Sequence, residues 1–144
     1  MENYTTRHTG KRATLKKGRK EIARIRGIVR KGFQRGRLLG YPTANVRLHN
    51  RSIREGIYVA LVRVDGKLYH GAAFIGAAKT FNLRERKLEV YILDFDKTIY
   101  DQWIIVHLLK FLRPNVRFTS VGQLKKAIKH DVIQTRKFFY TREF

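Results

Sequence analysis

The chain has 144 residues, with 32 lysines and arginines against 11 acidic residues and a formal net charge of +21. This length fits one domain with a single hydrophobic core, and the absence of cysteine excludes a disulfide framework and thiolate chemistry. The sequence has no apolar run long enough to span a membrane and no apolar core of a secretory signal. We therefore expect a soluble, cytoplasmic protein without membrane contact, and the charge predicts attraction to polyanions.

Residues 1–20 are polar and rich in Thr, Lys, Arg and Gly, with Leu15 as the only aliphatic side chain larger than alanine. Such a segment buries too little apolar surface to order itself, so we expect a flexible basic arm ahead of a domain over residues 21–144. A solvated tail without a partner and a tail that contacts nucleic acid are about equally compatible with this composition.

Several short strands are predicted after the arm. Residues 22–29 interleave β-branched residues with arginine, which is typical of a strand exposed on one side. Residues 102–112 predict a strand more than a helix, because β-branched residues open this apolar run. A hairpin turn is predicted at Asp65-Gly66. The remaining strands are predicted at 46–48, 57–64, 67–75 and 87–94.

One helix is predicted near the C-terminal end. Ser120 and Gln123 have the spacing of a capping box, and the helix should extend to about Phe138. The apolar residues that recur at helical spacing are Val121, Leu124, Ile128 and Val132. Short strands with tight turns and one late helix predict a mainly β fold, a small antiparallel barrel with the helix packed against it.

Residues 35–45 contain two glycines and a proline, which excludes the interior of a regular helix. The glycines allow backbone N–H groups to approach an anion, and the arginines bring planar donor groups suited to phosphate. In an extended chain, Thr43 and Asn45 would present two neutral oxygens on one face, which suits a phosphate-bound Mg²⁺. Taken alone, such a run is more often a surface turn with solvated arginines.

Residues 32–45 resemble the nucleotide-binding segment of riboflavin kinases (flavokinases), whose mark is a Gly-Arg-x-Leu-Gly-x-Pro-Thr-Ala-Asn run. The resemblance covers roughly residues 24–139. This part of the chain is similar to the C-terminal kinase domain of bacterial bifunctional FAD synthetases, and we expect it to be a kinase domain that stands alone. Further matches in family order are Gly56-Ile57-Tyr58, Ile75-Gly76, Leu88-Glu89-Val90, Tyr100, Leu112-Arg113-Pro114, Phe118 and Asp131. The resemblance implies a six-stranded Greek-key barrel with a C-terminal helix. The adenylyltransferase domain of those synthetases is missing here, so FAD synthesis is not expected from this chain.

The resemblance also implies an enzyme, a monomer that converts riboflavin and ATP to FMN and ADP with Mg²⁺. Thr43 and Asn45 would then hold the Mg²⁺, and Arg113 would belong to the flavin side. The nucleotide-binding residues implied are Gly32, Gly36, Arg37, Gly40, Thr43, Asn45 and Tyr100. In isolation, Tyr100 reads as an ordinary packed aromatic and Arg113 as an arginine at a turn.

Glu89 lies within an alternating strand, with Leu88, Val90 and Ile92 on the opposite face. A carboxylate there is either on an exposed face or placed for chemistry. The resemblance implies that Glu89 is the general base, which takes the proton from the ribityl hydroxyl as its oxygen attacks the γ-phosphorus of ATP.

Two departures from the family pattern affect the surroundings of the site. Residues 78–81 are Ala-Lys-Thr-Phe where the bacterial family has a proline before the threonine, and Asp101 stands where the family has glycine. The flavin-side loop and the turn after Tyr100 are therefore expected to differ in shape. The alternative to an enzyme is a non-catalytic basic barrel that binds nucleic acid or acts as a flavin-responsive regulator.

Overall fold

The computed structural model describes residues 5–8, 11–14, 21–31, 40–49, 52–77 and 86–141. Eight strands and one helix lie in these ranges. They are β1 (Thr5–His8), β2 (Lys11–Thr14), β3 (Ala23–Ile28), β4 (Thr43–Leu48), β5 (Gly56–Val64), β6 (Lys67–Ala77), β7 (Arg86–Ile92), β8 (Trp103–Arg113) and α1 (Val121–Thr141).

Strands β3 to β8 form one antiparallel sheet in the order β3-β8-β5-β6-β7-β4. Its two edge strands meet where Arg30 bridges to Asn45, with the Arg30 amide donating to the Asn45 carbonyl at 2.7 Å. Gly27 makes this approach feasible, because a Cβ atom there would overlap Val46 of β4. The sheet is thus a nearly closed barrel, and the predicted six-stranded barrel with one C-terminal helix is confirmed.

Strand β5 is buried on both of its faces. Its inward side chains, such as Tyr58 and Val62, belong to the barrel core, and the outward Val59 and Leu61 lie under α1. This double burial explains why β5 reads as a continuous apolar run rather than an alternation. The outer core is completed by Leu68, Leu109, Phe138 and Phe139.

The predicted hairpin turn and helix start are both confirmed. Asp65 and Gly66 have positive φ angles of 50° and 76°, the pattern of the turn that matches strand twist. The Gln123 amide donates to Ser120 Oγ at 3.2 Å, while the Gln123 side chain accepts from the amide and hydroxyl of Thr119. The helix ends at Thr141, later than predicted, because Phe138 and Phe139 pack on the barrel.

Strands β1 and β2 were not predicted. They pair antiparallel within the segment expected to be an arm without regular structure, and β1 lies beside β6. Threonine favours extended backbone, and the contact of β1 and β2 with β6 gives this pair a packing partner that composition alone does not reveal. The division into an arm and a barrel domain stays a prediction.

Candidate active site

One row of paired residues crosses five strands on the outer face of the barrel. Glu89 of β7 pairs with Asn45 of β4 on one side and Phe74 of β6 on the other. The row continues to Ile57 of β5 and Arg113 of β8. Directly opposed residues in an antiparallel sheet point to the same face. We call these five positions the Glu89 row.

The neighbours of Glu89 establish which face the row occupies. Leu88 and Val90 are fully buried in the barrel core, so Glu89 points outward between them, as the alternation of the sequence predicted. Its carboxylate is half-buried and accepts a hydrogen bond from Lys87 Nζ at 2.8 Å. Glu89 therefore lies on the outer face with a cation beside it.

Thr43 and Asn45 lie two residues apart on β4, and Ala44 between them points into the core. The expectation that both face the same side is thereby met. Asn45 is opposite Glu89, and Thr43 is opposite Tyr91. The Asn45 side chain is buried, and its Oδ1 has no hydrogen-bond partner among the described residues. A buried carbonyl oxygen without a donor is suited to a hard cation such as Mg²⁺.

A cleft of about 250 Å³ opens beside β4. Thr43 and Tyr100, which the family resemblance predicted for the nucleotide, both line it. Lys31 Nζ lies 5.6 Å from the centre of the Tyr100 ring at this cleft. The complete lining is Val29, Pro42, Thr43, Ala44, Ile92, Phe95, Asp96, Lys97, Thr98, Ile99 and Tyr100.

The glycine-rich segment is described only at its end. Gly40 has a φ of 84° in the turn that precedes Tyr41 and Pro42, a conformation that glycine adopts without strain. The other predicted nucleotide-binding residues of this segment, Gly32, Gly36 and Arg37, lie outside the described residues. The flavin-side departure at residues 78–81 also falls outside them.

Asp101, which stands where the family pattern has glycine, makes hydrogen bonds through both its side chain and its backbone. Its φ of 65° is in the left-handed region, which glycine adopts most readily and aspartate tolerates. The Asp101 carboxylate accepts from Arg30 Nη1 at 3.0 Å, and its amide donates to the Val29 carbonyl at 2.9 Å. The turn after Tyr100 is thus fastened to the end of β3.

Arg113 is not close to Glu89, although both belong to the same row. Three strand spacings separate them, roughly 14 Å, with Phe74 and Ile57 in between. The Arg113 guanidinium makes a bidentate pair with the buried Asp131 of α1, at 2.8 Å and 2.7 Å. Arg113 therefore fastens the end of β8 to the helix.

Tyr91 stands beside this site on the same face as Glu89. Burial raises the pKa of Tyr91, with Arg136 opposing and Asp94 and Tyr41 reinforcing the shift. Its ring contacts Tyr41 edge to face, with 5.3 Å between ring centres.

Sequence reasoning missed two cations of the site, Lys87 beside Glu89 and Lys97 in the cleft wall. The strand alternation would have found Lys87, since a residue two positions before Glu89 on a strand shares its face. No comparable signal pointed to Lys97, because it lies in a loop.

The described helix is not apolar enough to cross a membrane.

The outer face of the barrel thus holds a carboxylate and a buried amide oxygen beside a cleft, which are groups that phosphoryl transfer can use. A family model described as "Flavokinase: Riboflavin kinase" matches residues 19–139. The chain therefore belongs to the riboflavin kinase family.

The chain is similar to several curated and structurally characterised proteins. It is 46% identical over 121 residues to the trifunctional protein RibF/MnmA of Mycoplasmoides gallisepticum, which covers 83% of this chain and 18% of that protein. It is 37% identical over 118 residues to a bifunctional riboflavin kinase/FMN adenylyltransferase of Haemophilus influenzae, covering 81% of this chain and 38% of that protein. The chain thus spans well under half the length of these relatives.

Among solved structures, the crystal structure of riboflavin kinase from Trypanosoma brucei is similar at a TM-score of 0.56 and 28% identity. The similarity covers 82% of this chain and 80% of that one. The fold therefore also agrees with a riboflavin kinase of about the same extent.

Proposed function

We propose that this chain transfers the γ-phosphoryl group of ATP to the 5′-hydroxyl of the ribityl chain of riboflavin, giving FMN and ADP. Family membership supports the reaction class. The observation that carries the proposal is the direct pairing of Asn45 with Glu89, which sets an amide oxygen and a carboxylate side by side on the outer face.

Glu89 acts as the general base. It takes the proton of the ribityl hydroxyl while that oxygen forms a bond to the γ-phosphorus, and the bond between this phosphorus and the bridging oxygen of ADP breaks. Lys87 holds the carboxylate at 2.8 Å and limits its rotation before riboflavin binds. The proton therefore passes to an oxygen whose position is already fixed.

Thr43 and Asn45 are the residues that would hold Mg²⁺, through the hydroxyl and the Oδ1 atom. Such an ion neutralises charge on the transferred phosphoryl group. The free Oδ1 of Asn45 among the described residues supports this assignment. Neutral oxygens suit an ion that receives its negative ligands from the phosphates.

The cleft beside β4 binds the nucleotide, with Tyr100 in its wall and Gly40 in the turn at the start of β4. Gly32, Gly36 and Arg37 complete the phosphate contacts on the family pattern. Arg113 stands on the flavin side, and because Asp131 already binds its guanidinium, it positions the β8–α1 junction there.

The test is to incubate the purified chain with riboflavin and Mg²⁺-ATP and to separate FMN from riboflavin by chromatography. FMN should form in proportion to enzyme and time, and omission of ATP or chelation of the metal should abolish it. Unchanged riboflavin in the presence of a protein with a cooperative thermal transition would contradict the proposal.

A further inference from the structure

An exposed basic and aromatic surface lies away from the Glu89 row, on the outer side of β3 and β8. Ala23 and Ile25 point into the core, so Arg24 and Arg26 point outward. Arg26 is paired with Ile105 of β8, and Ile105 is paired in turn with Arg63 of β5. We call the outward residues Ile22, Arg24, Arg26, Arg63, Trp103 and Ile105 the β3–β8 face.

Trp103 dominates this face. It is the only tryptophan of the chain, and it is 53% exposed at the start of β8. The Arg26 guanidinium lies 4.3 Å from the centre of its ring. Ile22 is equally exposed at the other end of β3. An exposed tryptophan whose ring is already contacted by an arginine offers a stacking surface to a partner.

The charges of the face favour a polyanion. Among the described residues no carboxylate pairs with Arg26, and Glu21 is already engaged by Arg24 and His107, at 3.0 Å and 2.6 Å. The whole chain carries a formal charge of +21. Arginines and apolar side chains that lie together on the outer surface of two strands suit a partner that has both phosphates and flat rings.

We propose that the β3–β8 face binds single-stranded nucleic acid. A base stacks on the exposed Trp103 ring or on the guanidinium plane of Arg26, and Arg24 and Arg26 contact neighbouring phosphates. Aromatic stacking with a basic track is how sequence-tolerant binding of single strands is achieved. The surface lies outside the proposed kinase site, so this binding is a second function of the same barrel.

Trp103 provides a direct reporter, because all tryptophan fluorescence of the chain arises on this face. We would titrate the full chain with oligouridine and oligothymidine of about twelve nucleotides, a length within the range that single domains bind. Quenching of Trp103 fluorescence by either oligomer is expected. Tighter binding of oligouridine would identify RNA as the partner, and equal binding would identify single strands in general.

Variants then locate the contact by the anisotropy of a labelled oligomer. Trp103→Leu should weaken binding about tenfold, the usual worth of one stacked base, while Trp103→Phe should retain most of the affinity. Arg26→Gln should weaken binding and lower the slope of log affinity against log salt by about one. Lys129→Gln, which removes an exposed charge from α1, is the matched control and should change little.

Several results would overturn the proposal. Equal losses with Lys129→Gln and Arg26→Gln would show diffuse attraction by net charge. Displacement of the oligomer by Mg²⁺-ADP would show that the oligomer binds in the nucleotide cleft and not on the β3–β8 face. A shift of Trp103 emission with anionic vesicles but not with oligomers would identify a lipid surface. The Arg26→Gln variant should form FMN at the same rate as the parent chain, because Arg26 lies outside the proposed kinase site. The kinase assay and the binding assay therefore test the two proposals separately.

Discussion

Glu89 provides the sharpest test at the scale of single residues. Glu89→Gln keeps the size of the side chain but cannot accept the ribityl proton, so kcat should fall by roughly two to four orders of magnitude. The affinities for ATP and riboflavin should change far less, because the lost interaction belongs to the transition state. Steady-state kinetics with a thermal-unfolding control measures both effects.

Glu55→Gln is the matched control for this substitution, since Glu55 is an exposed carboxylate 3.9 Å from Arg86 and outside the Glu89 row. It should leave turnover unchanged. A Glu89→Gln enzyme with an ordinary rate would end the assignment of Glu89 as base.

Thr43→Ala and Asn45→Ala should each weaken Mg²⁺-nucleotide binding more than riboflavin binding. The reason is that both side chains offer neutral oxygens beside the cleft, and Asn45 Oδ1 has no competing donor among the described residues. Calorimetry with Mg²⁺-ADP, and the fluorescence of riboflavin, measure the two affinities separately. Thr119→Ala, at the start of α1, serves as control. Equal loss of both ligands would point instead to a structural role in β4.

Strand alternation alone placed Glu89 on the correct face, because the period of two leaves no other choice when Leu88 and Val90 are core residues. Strand alternation could not show which side chain would pair with the Glu89 carboxylate. Lys87 shares the face, but only the folded strand shows its ammonium bending back to Glu89. Arg113 and Asp131 were both noted in the sequence, yet their pairing depends on where α1 packs.

At the scale of elements, two Arg–Asp pairs fasten α1 to the barrel. Arg113 binds Asp131, whose side chain is 7% exposed, and Arg136 binds Asp94, whose side chain is 37% exposed. Both pairs are bidentate. The two pairs have similar geometry and differ mainly in burial. Comparing the stability lost when each pair is broken therefore measures how much exposure to solvent weakens an ion pair.

Asp131→Asn should therefore lower the free energy of unfolding by about 2–4 kcal/mol, because it leaves the Arg113 charge partly buried without its counter-ion. Asp94→Asn should cost less than about 1 kcal/mol, since water screens that pair. Urea unfolding followed by far-UV circular dichroism measures both. Equal costs for the two variants would show that burial does not set the strength of these pairs.

Short sequence motifs correctly predicted the features that depend on only a few neighbouring residues. The Asp65-Gly66 turn and the Ser120 cap follow from backbone preferences of a few residues. Element ends were less predictable, and α1 ends at Thr141 because tertiary contacts of Phe138 and Phe139 extend it. The Arg26–Trp103 contact had no sequence signal, since it requires β3 to lie beside β8.

At the scale of the whole molecule, residues 1–20 carry seven basic side chains and one acidic side chain. We expect deletion of this segment to leave FMN formation nearly intact and to reduce salt-sensitive adhesion to nucleic acid. Quenching of Trp103 by oligouridine should persist, because the β3–β8 face is retained. Turnover and the salt dependence of binding are the measurements, and a large fall in turnover would show that the segment contributes to the kinase site.

The Glu89 row also determines when the site can come into being during protein synthesis. Asn45 and Glu89 are neighbours in space, but β5 and β6 are made between them, and β7 pairs with both β6 and β4. A nascent chain that has released only β4, β5 and β6 from the ribosome has no carboxylate opposite Asn45. The barrel closes later still, since β3 pairs only with β8 within the sheet. Such non-local pairing is slow to form, and a chain that ends before β7 exposes an unpaired β4 edge, the kind of strand edge at which aggregation begins.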